Sequence, residues 1–167
     1  IVENKVGMAG NIATEYVARS KPDGYTIFIA PAHSILAAGP VLYKKLNYDP
    51  VADFQSVTTL AKLPFVLLVA ADIGVNSVAD LAAYMKKRPD EGFYASSNTI
   101  NLVASELFKT QFGLKTTEVK YKVASDVLND LVAHNVDFFF TDPVTAREPI
   151  AQGRVKPLML TSAQPIA

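Results

Sequence analysis

The chain has 167 residues, of which 50% are hydrophobic and 19% are charged, a composition typical of a packed globular protein rather than a disordered one. Its 16 basic and 16 acidic residues balance, so there is no basic field for nucleic acid, and any anion selectivity must come from a local site. Cysteine is absent, which excludes disulfides, thiolate nucleophiles and cysteine-ligated zinc. The apolar run at 65–71 is too short for direct insertion across a membrane.

The first part of the chain is predicted to alternate helices and strands. Apolar residues at three- and four-residue spacing predict the first helix, and Asp23-Gly24 turns the chain from it into an apolar strand. Pro64 separates two further strands. The predicted elements are a helix over 8–19, a strand over 25–30, a short helix over 40–46 and strands over 55–63 and 65–71.

The second part carries clear helix boundaries. Ser77 and Asp80 form a capping box, Gly113 has the position of a left-handed helix end, Ser125 is placed to cap a further helix, and Asp142 precedes a proline at a helix start. The predicted elements are helices over 77–88, 99–112, 125–134 and 143–152, and strands over 93–96, 117–121, 136–141 and 155–161.

This alternation predicts an α/β fold. Repeated βαβ units give a mainly parallel sheet with helices on both faces. In such sheets, ligands bind beyond the carboxyl ends of the strands, where the helix N-termini point. Polar residues at those junctions are therefore the candidates for a binding site.

Four short sequence strings occur in a fixed order along the chain. They are V-E-N-K at 2–5, P-D-G-Y-T at 22–26, L-N-Y-D-P-x-x-D-F at 46–54 and L-M-L-T-S-A at 158–163. Their order and spacing, together with the elements around them, resemble the substrate-binding proteins of tripartite tricarboxylate transporters, the Bug family of periplasmic receptors. The resemblance covers nearly the whole chain and begins and ends inside the family pattern.

The resemblance implies a two-lobed, periplasmic-binding-protein-like fold of type II, with the ligand clamped between the lobes. On this interpretation, 1–71 form a partial first lobe with hinge strands, 72–155 form the second lobe, and 156–167 are a truncated strand returning to the first. The first lobe is expected to be incomplete, with further family strands before Ile1 and after Ala167.

The strongest candidate site is a polar run between a strand end and a helix start. Free backbone N–H groups, the positive end of a helix and short polar side chains at such a junction suit a carboxylate. In the resembled family this loop is longer and leads into a T-S-S-H-like run, and Asn101 stands where its histidine would be. The alternative is that Asn98 or Thr99 only caps the helix. The candidate residues are Ser96, Ser97, Asn98, Thr99 and Asn101.

A second candidate is Tyr121 with Lys122, which resembles the family segment P-Y-K-G-S with Val123 in place of the glycine. The resemblance implies that Lys122 pairs with a distal carboxylate and that Tyr121 lines the pocket. Asp126 would oppose a dianion and favour an amino group instead. The alternative is a solvated lysine beside an ordinary acidic first turn.

Two more pairs complete the predicted site. Thr141 and Asp142 match the family's F-D-x at the end of a buried strand, although Asp142 before a proline is also an excellent N-cap. In the first lobe, His33 and Ser34 stand where family members place cleft-facing residues.

No sequence pattern indicates catalysis. G-x-S-x-G, H-E-x-x-H and nucleotide-binding glycine loops are absent, and no cofactor or metal site is expected. The resemblance instead implies a periplasmic receptor that captures a small carboxylate and delivers it to membrane transporter subunits. The alternatives are the ligand-sensing effector domain of a transcription regulator and an orphan receptor that serves signalling.

Overall fold

The computed structural model describes residues 1–5, 7–62, 64–88 and 92–162, and the chain divides into two compact units, 1–60 and 61–167. Each unit is treated separately below. The described part contains no helix long and apolar enough to cross a membrane.

The first unit contains only helical elements among its described residues. They are a 3₁₀ turn Met8–Gly10, helix α1 Asn11–Ala18, a π-helix His33–Ala38 and helix α2 Gly39–Leu42. A buried hydrogen bond joins two distant parts of this unit, because the Tyr48 hydroxyl donates to Asn11 Oδ1 over 2.6 Å. Phe54 packs against Tyr48 edge to face and stacks on Phe28.

The strands predicted over 25–30 and 55–63 are wrong for the residues that the structure describes there, which form no sheet ladder. Position 63 lies outside the described residues. Only the end of this segment alternates, because Phe28 is half-buried and stacks on Phe54, while Ile27 and Ile29 are 78% and 75% exposed. A strand exists only where a neighbouring strand takes up its hydrogen bonds, and these segments have no such neighbour in the described part of the unit.

The second unit is a five-stranded sheet with helices on both faces, in the strand order β3-β2-β4-β1-β5. Its elements are β1 Val66–Ala70, α3 Val78–Lys86, β2 Gly92–Ser96, α4 Thr99–Phe112, β3 Thr116–Lys120, α5 Ala124–Val132, β4 Phe138–Thr141, α6 Pro143–Ala151 and β5 Val155–Leu160.

Four of these five strands run in the same direction. Strand β2 pairs in parallel with β3 and β4, whereas β1 lies antiparallel between β4 and β5. The expected mainly parallel sheet is therefore confirmed, with β1 as the reversed strand. Strand β4 is buried on both faces, since Phe138 and Phe140 pack with α3 and α4 while Phe139 packs with α5 and α6.

Local signals account for most of the helix ends in this unit. Ser77 accepts a hydrogen bond from Asp80 N and begins α3, and Gly113 ends α4 at φ 61°, as predicted. The prediction that Ser125 caps α5 is wrong: the N-cap residue is Val123, and Ser125 lies inside the first turn. Valine has no side-chain acceptor, so this helix begins without a side-chain cap.

Candidate functional site

Three parallel strands bring their carboxyl ends to one edge of the second unit's sheet. Strands β3, β2 and β4 are neighbours, and each is followed within a few residues by a helix, α5, α4 and α6 respectively. The N-termini of these helices therefore meet at the same edge, which the preceding polar residues line. This is the arrangement predicted for an anion site, and it is called the strand-end edge below.

The sequence-predicted residues of the second unit all lie along this edge. Ser96 is the last residue of β2, Thr141 is the last residue of β4, and both are buried, at 5% and 2% exposed. Lys122 is exposed between β3 and α5. The remaining members are Ser97, Asn98, Thr99, Asn101, Tyr121 and Asp142.

Asn101 is 1% exposed and lies between the loop after β2 and the end of β4. Its Nδ2 donates to the Phe140 carbonyl over 2.6 Å, and its Oδ1 accepts from Ser97 N over 3.1 Å and from Ser97 Oγ over 2.9 Å. The residue therefore joins the loop after β2 to the end of β4. Because all of these bonds are within the protein, Asn101 holds the loop after β2 in place against the end of β4.

Asn98 is the N-cap of α4, as one reading of the sequence predicted. Its Oδ1 accepts from Ile100 N over 3.0 Å and from Asn101 N over 3.1 Å. Asn98 is exposed, and its Nδ2 has no hydrogen bond within the described residues. The cap therefore leaves two N–H donors facing solvent at the edge.

Asp142 is the N-cap of α6, and both of its carboxylate oxygens accept hydrogen bonds from within the protein. Its two oxygens accept from Thr145 N over 2.9 Å and from Thr145 Oγ1 over 2.7 Å. Burial raises the pKa of this carboxyl, but the hydrogen bonds from Thr145 outweigh burial and hold the pKa below its ordinary value. Asp142 is thus an ionised cap that contributes negative charge at the edge.

Tyr121 turns its hydroxyl away from the helix start and along α5. The hydroxyl donates to Asp130 Oδ2 over 2.6 Å, and burial together with this hydrogen bond raises the pKa of Tyr121 to about 12. The bonds from Tyr121 and Asn135 hold the pKa of Asp130 below its ordinary value. In this structure the Tyr121 hydroxyl is therefore committed to the helix, while its backbone N–H donates to the Ser96 carbonyl over 2.8 Å.

Unoccupied donors concentrate at the start of α5. Lys122 has no ion pair or hydrogen bond within the described residues, and α5 begins without a side-chain cap. Lys120, by contrast, pairs with Glu118 at 3.6 Å. The chemistry available at this position is a cation beside helix N–H groups that no side chain caps, which suits a carboxylate, although the Asp126 carboxylate lies in the same first turn.

Glu118 is a residue of this edge that sequence reasoning missed. It accepts from Ser96 Oγ over 2.5 Å and so ties the ends of β2 and β3 together. Strand alternation assigns Glu118 to the face opposite Val119, which is a usable signal, but its partner becomes visible only from the register of β2 against β3.

The first unit carries His33 and Ser34 at the start of its π-helix, and their side chains lie outside what the structure describes. Among the described residues, no group of histidine, aspartate and glutamate side chains could hold a metal ion.

Comparison with known proteins identifies relatives over the whole chain. Residues 1–167 match the family model described as "Tripartite tricarboxylate transporter family receptor". The protein BugT of Bordetella pertussis is 28% identical over 166 residues, which are 98% of this chain and 51% of BugT. The chain spans about half the length of the curated relatives that it matches.

Two solved structures share both sequence and fold with this chain. One is described as "R. palustris Rpa4515 with adipate", with a TM-score of 0.82 and 36% identity over 98% of this chain and 55% of that one. The other, "MatC (Rpa3494) from Rhodopseudomonas palustris with bound malate", has a TM-score of 0.76 and 25% identity over 97% of this chain and 55% of that one.

Proposed function

Since this chain belongs to the tripartite tricarboxylate transporter receptor family, we propose that it is part of a periplasmic solute-binding receptor. The receptor captures a small carboxylate-bearing ligand between two lobes and delivers it to the membrane subunits of a tripartite transporter. The protein binds its ligand and performs no catalysis on it.

The observation that carries this proposal is the set of unoccupied donors at the strand-end edge. Lys122, the uncapped start of α5 and the free amide of Asn98 all belong to neighbouring strand–helix junctions. A helix N-terminus contributes roughly 0.3–2 kcal/mol to anion binding, so several such groups must act together to give useful affinity. The other two helix N-termini are closed by their own caps, which directs the anion toward α5.

Two relatives support a carboxylate as the ligand, because their structures are described with adipate and with malate. Both compounds are small dicarboxylic acids. The proposed domain roles follow the same family: 1–71 contribute part of one lobe with hinge strands, 72–155 the other lobe, and 156–167 the returning strand.

The proposed mechanism is ligand-driven closure. His33 and Ser34 would contribute from the first lobe, while the strand-end edge holds the carboxylate in the second. The ligand shifts the receptor to the closed form only to the extent that it binds that form more tightly. The closed form is then the one that the transporter recognises.

A thermal-shift panel of small carboxylic and amino acids on the intact protein tests this function. A ligand at a hundred times its dissociation constant stabilises the folded state by about 2.7 kcal/mol, which raises the melting temperature by several degrees. Selective stabilisation by one class of acid is expected. If no acid stabilises the folded protein, the carboxylate-receptor proposal fails and a different ligand class or an effector domain takes its place.

A pair of lysine variants locates the site within that assay. Lys122→Gln removes the unpaired cation at the strand-end edge and is expected to weaken carboxylate binding about tenfold, equivalent to one lost charge-assisted bond. Lys115→Gln is the matched control, because Lys115 is exposed at the opposite end of β3. Equal affinities in the two variants would remove Lys122 from the site.

A further inference from the structure

The first and last residues of the second unit's sheet meet at one point. Strand β1 starts at Val66 and strand β5 ends at Leu160, and these two residues are paired. The next pair outward in the same register is Phe65 with Thr161. It lies at the strand-end edge, because Val66 also pairs with Thr141, the last residue of β4. The β1–β5 ladder therefore ends at Phe65 and Thr161.

This terminal pair is joined by one ordinary and one substituted hydrogen bond. Thr161 N donates to the Phe65 carbonyl over 2.9 Å, as in a standard antiparallel pair. In the other direction, Phe65 N donates to Thr161 Oγ1 over 2.8 Å. A standard pair would use the Thr161 carbonyl for this second bond. The side-chain hydroxyl of Thr161 therefore stands in the place of the residue's own carbonyl.

The substituted acceptor changes which backbone rotation the ladder can tolerate. Rotation about ψ of Thr161 turns its carbonyl and every residue that follows, while its N–H, Cα and Oγ1 stay in place. Both hydrogen bonds to Phe65 therefore survive a change in ψ at Thr161. The hydroxyl itself is held, because a β-branched side chain has few χ1 rotamers. If the carbonyl were the acceptor, the same rotation would break the second bond.

The neighbouring positions do not share this freedom. Leu160 lies inside the ladder, and rotation about its ψ would carry Thr161 N away from Phe65. On the other strand, Pro64 precedes Phe65, and its ring fixes φ at about −65°. Thr161 itself is exposed. The backbone freedom at this corner of the sheet is therefore concentrated at Thr161.

We propose that Thr161 is the pivot at which the chain leaves the second lobe, and that its hydroxyl keeps the end of the sheet intact while the lobes open and close. This inference rests on the proposed function, because it assigns a residue to the closure step. Hinges are typically a few residues at the ends of elements that absorb the change in backbone angles. In the L-M-L-T-S-A string at 158–163, the threonine thus acts on lobe motion rather than on the ligand.

The pivot is tested first by lobe motion in the intact protein without added acid. One spin label is attached in each unit through Lys44→Cys and Lys115→Cys, two exposed positions in a sequence that has no cysteine of its own. Pulsed electron paramagnetic resonance then gives the distribution of distances between the labels. In Thr161→Val the carbonyl of residue 161 becomes the acceptor for Phe65 N, which ties ψ to the ladder. The distribution should therefore become narrower than in the wild type.

Two further variants separate the hydroxyl from a general effect of substitution. Thr161→Ser is the rescue variant, because serine keeps an Oγ acceptor at the same position, and it should restore the wild-type distribution. Thr117→Val is the matched control, since Thr117 is exposed on β3 and its side chain makes no hydrogen bond within the described part of the chain. It should also give the wild-type distribution.

Acid binding gives a second readout, with the acids of the thermal-shift panel, malate and adipate among them, titrated by isothermal calorimetry. Thr161→Val should weaken the binding of an acid about fivefold, because closure then breaks one hydrogen bond, while Thr161→Ser and Thr117→Val stay within about twofold of the wild type. In the wild-type protein, the Phe65 amide hydrogen should be equally protected from exchange with and without the bound acid, because its bond survives closure.

A wild-type distance distribution in Thr161→Val would overturn the pivot, and so would a serine variant that behaves like the valine variant. Unchanged affinity of Thr161→Val for an acid that binds the wild type would also overturn it. Loss of Phe65 amide protection on acid binding would do the same, and this measurement needs no variant to fold. If no acid binds but the distributions differ as expected, the carboxylate-receptor proposal fails and the pivot is retained.

Discussion

Replacing Asn101 with alanine should destabilise the protein far more than the same replacement of an exposed asparagine whose side chain makes a single hydrogen bond. Asn101 is 1% exposed and makes three hydrogen bonds, one to the Phe140 carbonyl and two to Ser97. The variant leaves the carbonyl and the Ser97 N–H without this partner in a buried setting. At about 1 kcal/mol for each lost bond, the free energy of unfolding should fall by about 3 kcal/mol.

Urea unfolding followed by far-ultraviolet circular dichroism measures this change, since the chain has no tryptophan. The midpoint should decrease while the denaturant slope stays constant. The matched control is Asn135→Ala, because Asn135 is exposed and its side chain makes a single described bond, to Asp130 Oδ1 over 3.1 Å. We expect the control to lose about 0.5 kcal/mol. If the losses of unfolding free energy in the two variants agree within about 1 kcal/mol, Asn101 does not join the loop after β2 to the end of β4.

Three further predictions concern helix ends and titration. Gly113→Ala should cost about 1 kcal/mol in unfolding free energy, because φ is 61° at this helix end. Tyr121→Phe should cost about 1 kcal/mol at neutral pH. That difference should vanish as the pH rises from 10 toward about 12, since the folded pKa is raised and ultraviolet titration can follow the tyrosinate. Asp142→Ala should cost about 1 kcal/mol at neutral pH. Its difference from wild type should shrink as the pH falls below 3.8, because the folded pKa is lowered.

The second unit could be predicted well because its boundaries depend on local chemistry. Ser77, Gly113 and Asp142 each stop or start a helix through their own side chain or backbone freedom, and each does so in the structure. Ser125 was misassigned for a local reason too. A serine two residues too late still resembles a cap, but the extended residue that precedes the helix is Val123.

The first unit shows where local patterns fail. An apolar run at 25–30, directly after a turn, predicted a strand, and within it Phe28 is half-buried against Phe54. A strand is defined, however, by hydrogen bonds to a neighbour, and no pattern within 25–30 specifies which segment supplies them. An apolar run therefore indicates a segment that is able to form a strand, and it leaves the pairing undetermined.

The roles of the candidate residues were harder to predict than their location. Their positions after strands placed them at one edge, because parallel strands end together. Their hydrogen bonds depend on partners remote in sequence, such as Phe140 for Asn101, which lies 39 residues away. The partner of the Tyr121 hydroxyl is likewise remote, because Asp130 lies nine residues later in the sequence, on α5. A single sequence contains no signal for these pairings.

Val123, which precedes α5, bears directly on the proposed anion site. Val123 has φ −137° and ψ 148°, extended backbone that any residue adopts, so valine fits this position without strain. Unlike Asn98 and Asp142, it has no side-chain acceptor to occupy the first N–H groups of its helix. Val123 therefore leaves the first N–H groups of α5 without a side-chain cap, in a turn that also carries Asp126, and it places an apolar side chain, 51% exposed, beside Lys122. In the proposed site, a carboxylate bound there would have its hydrocarbon portion next to Val123.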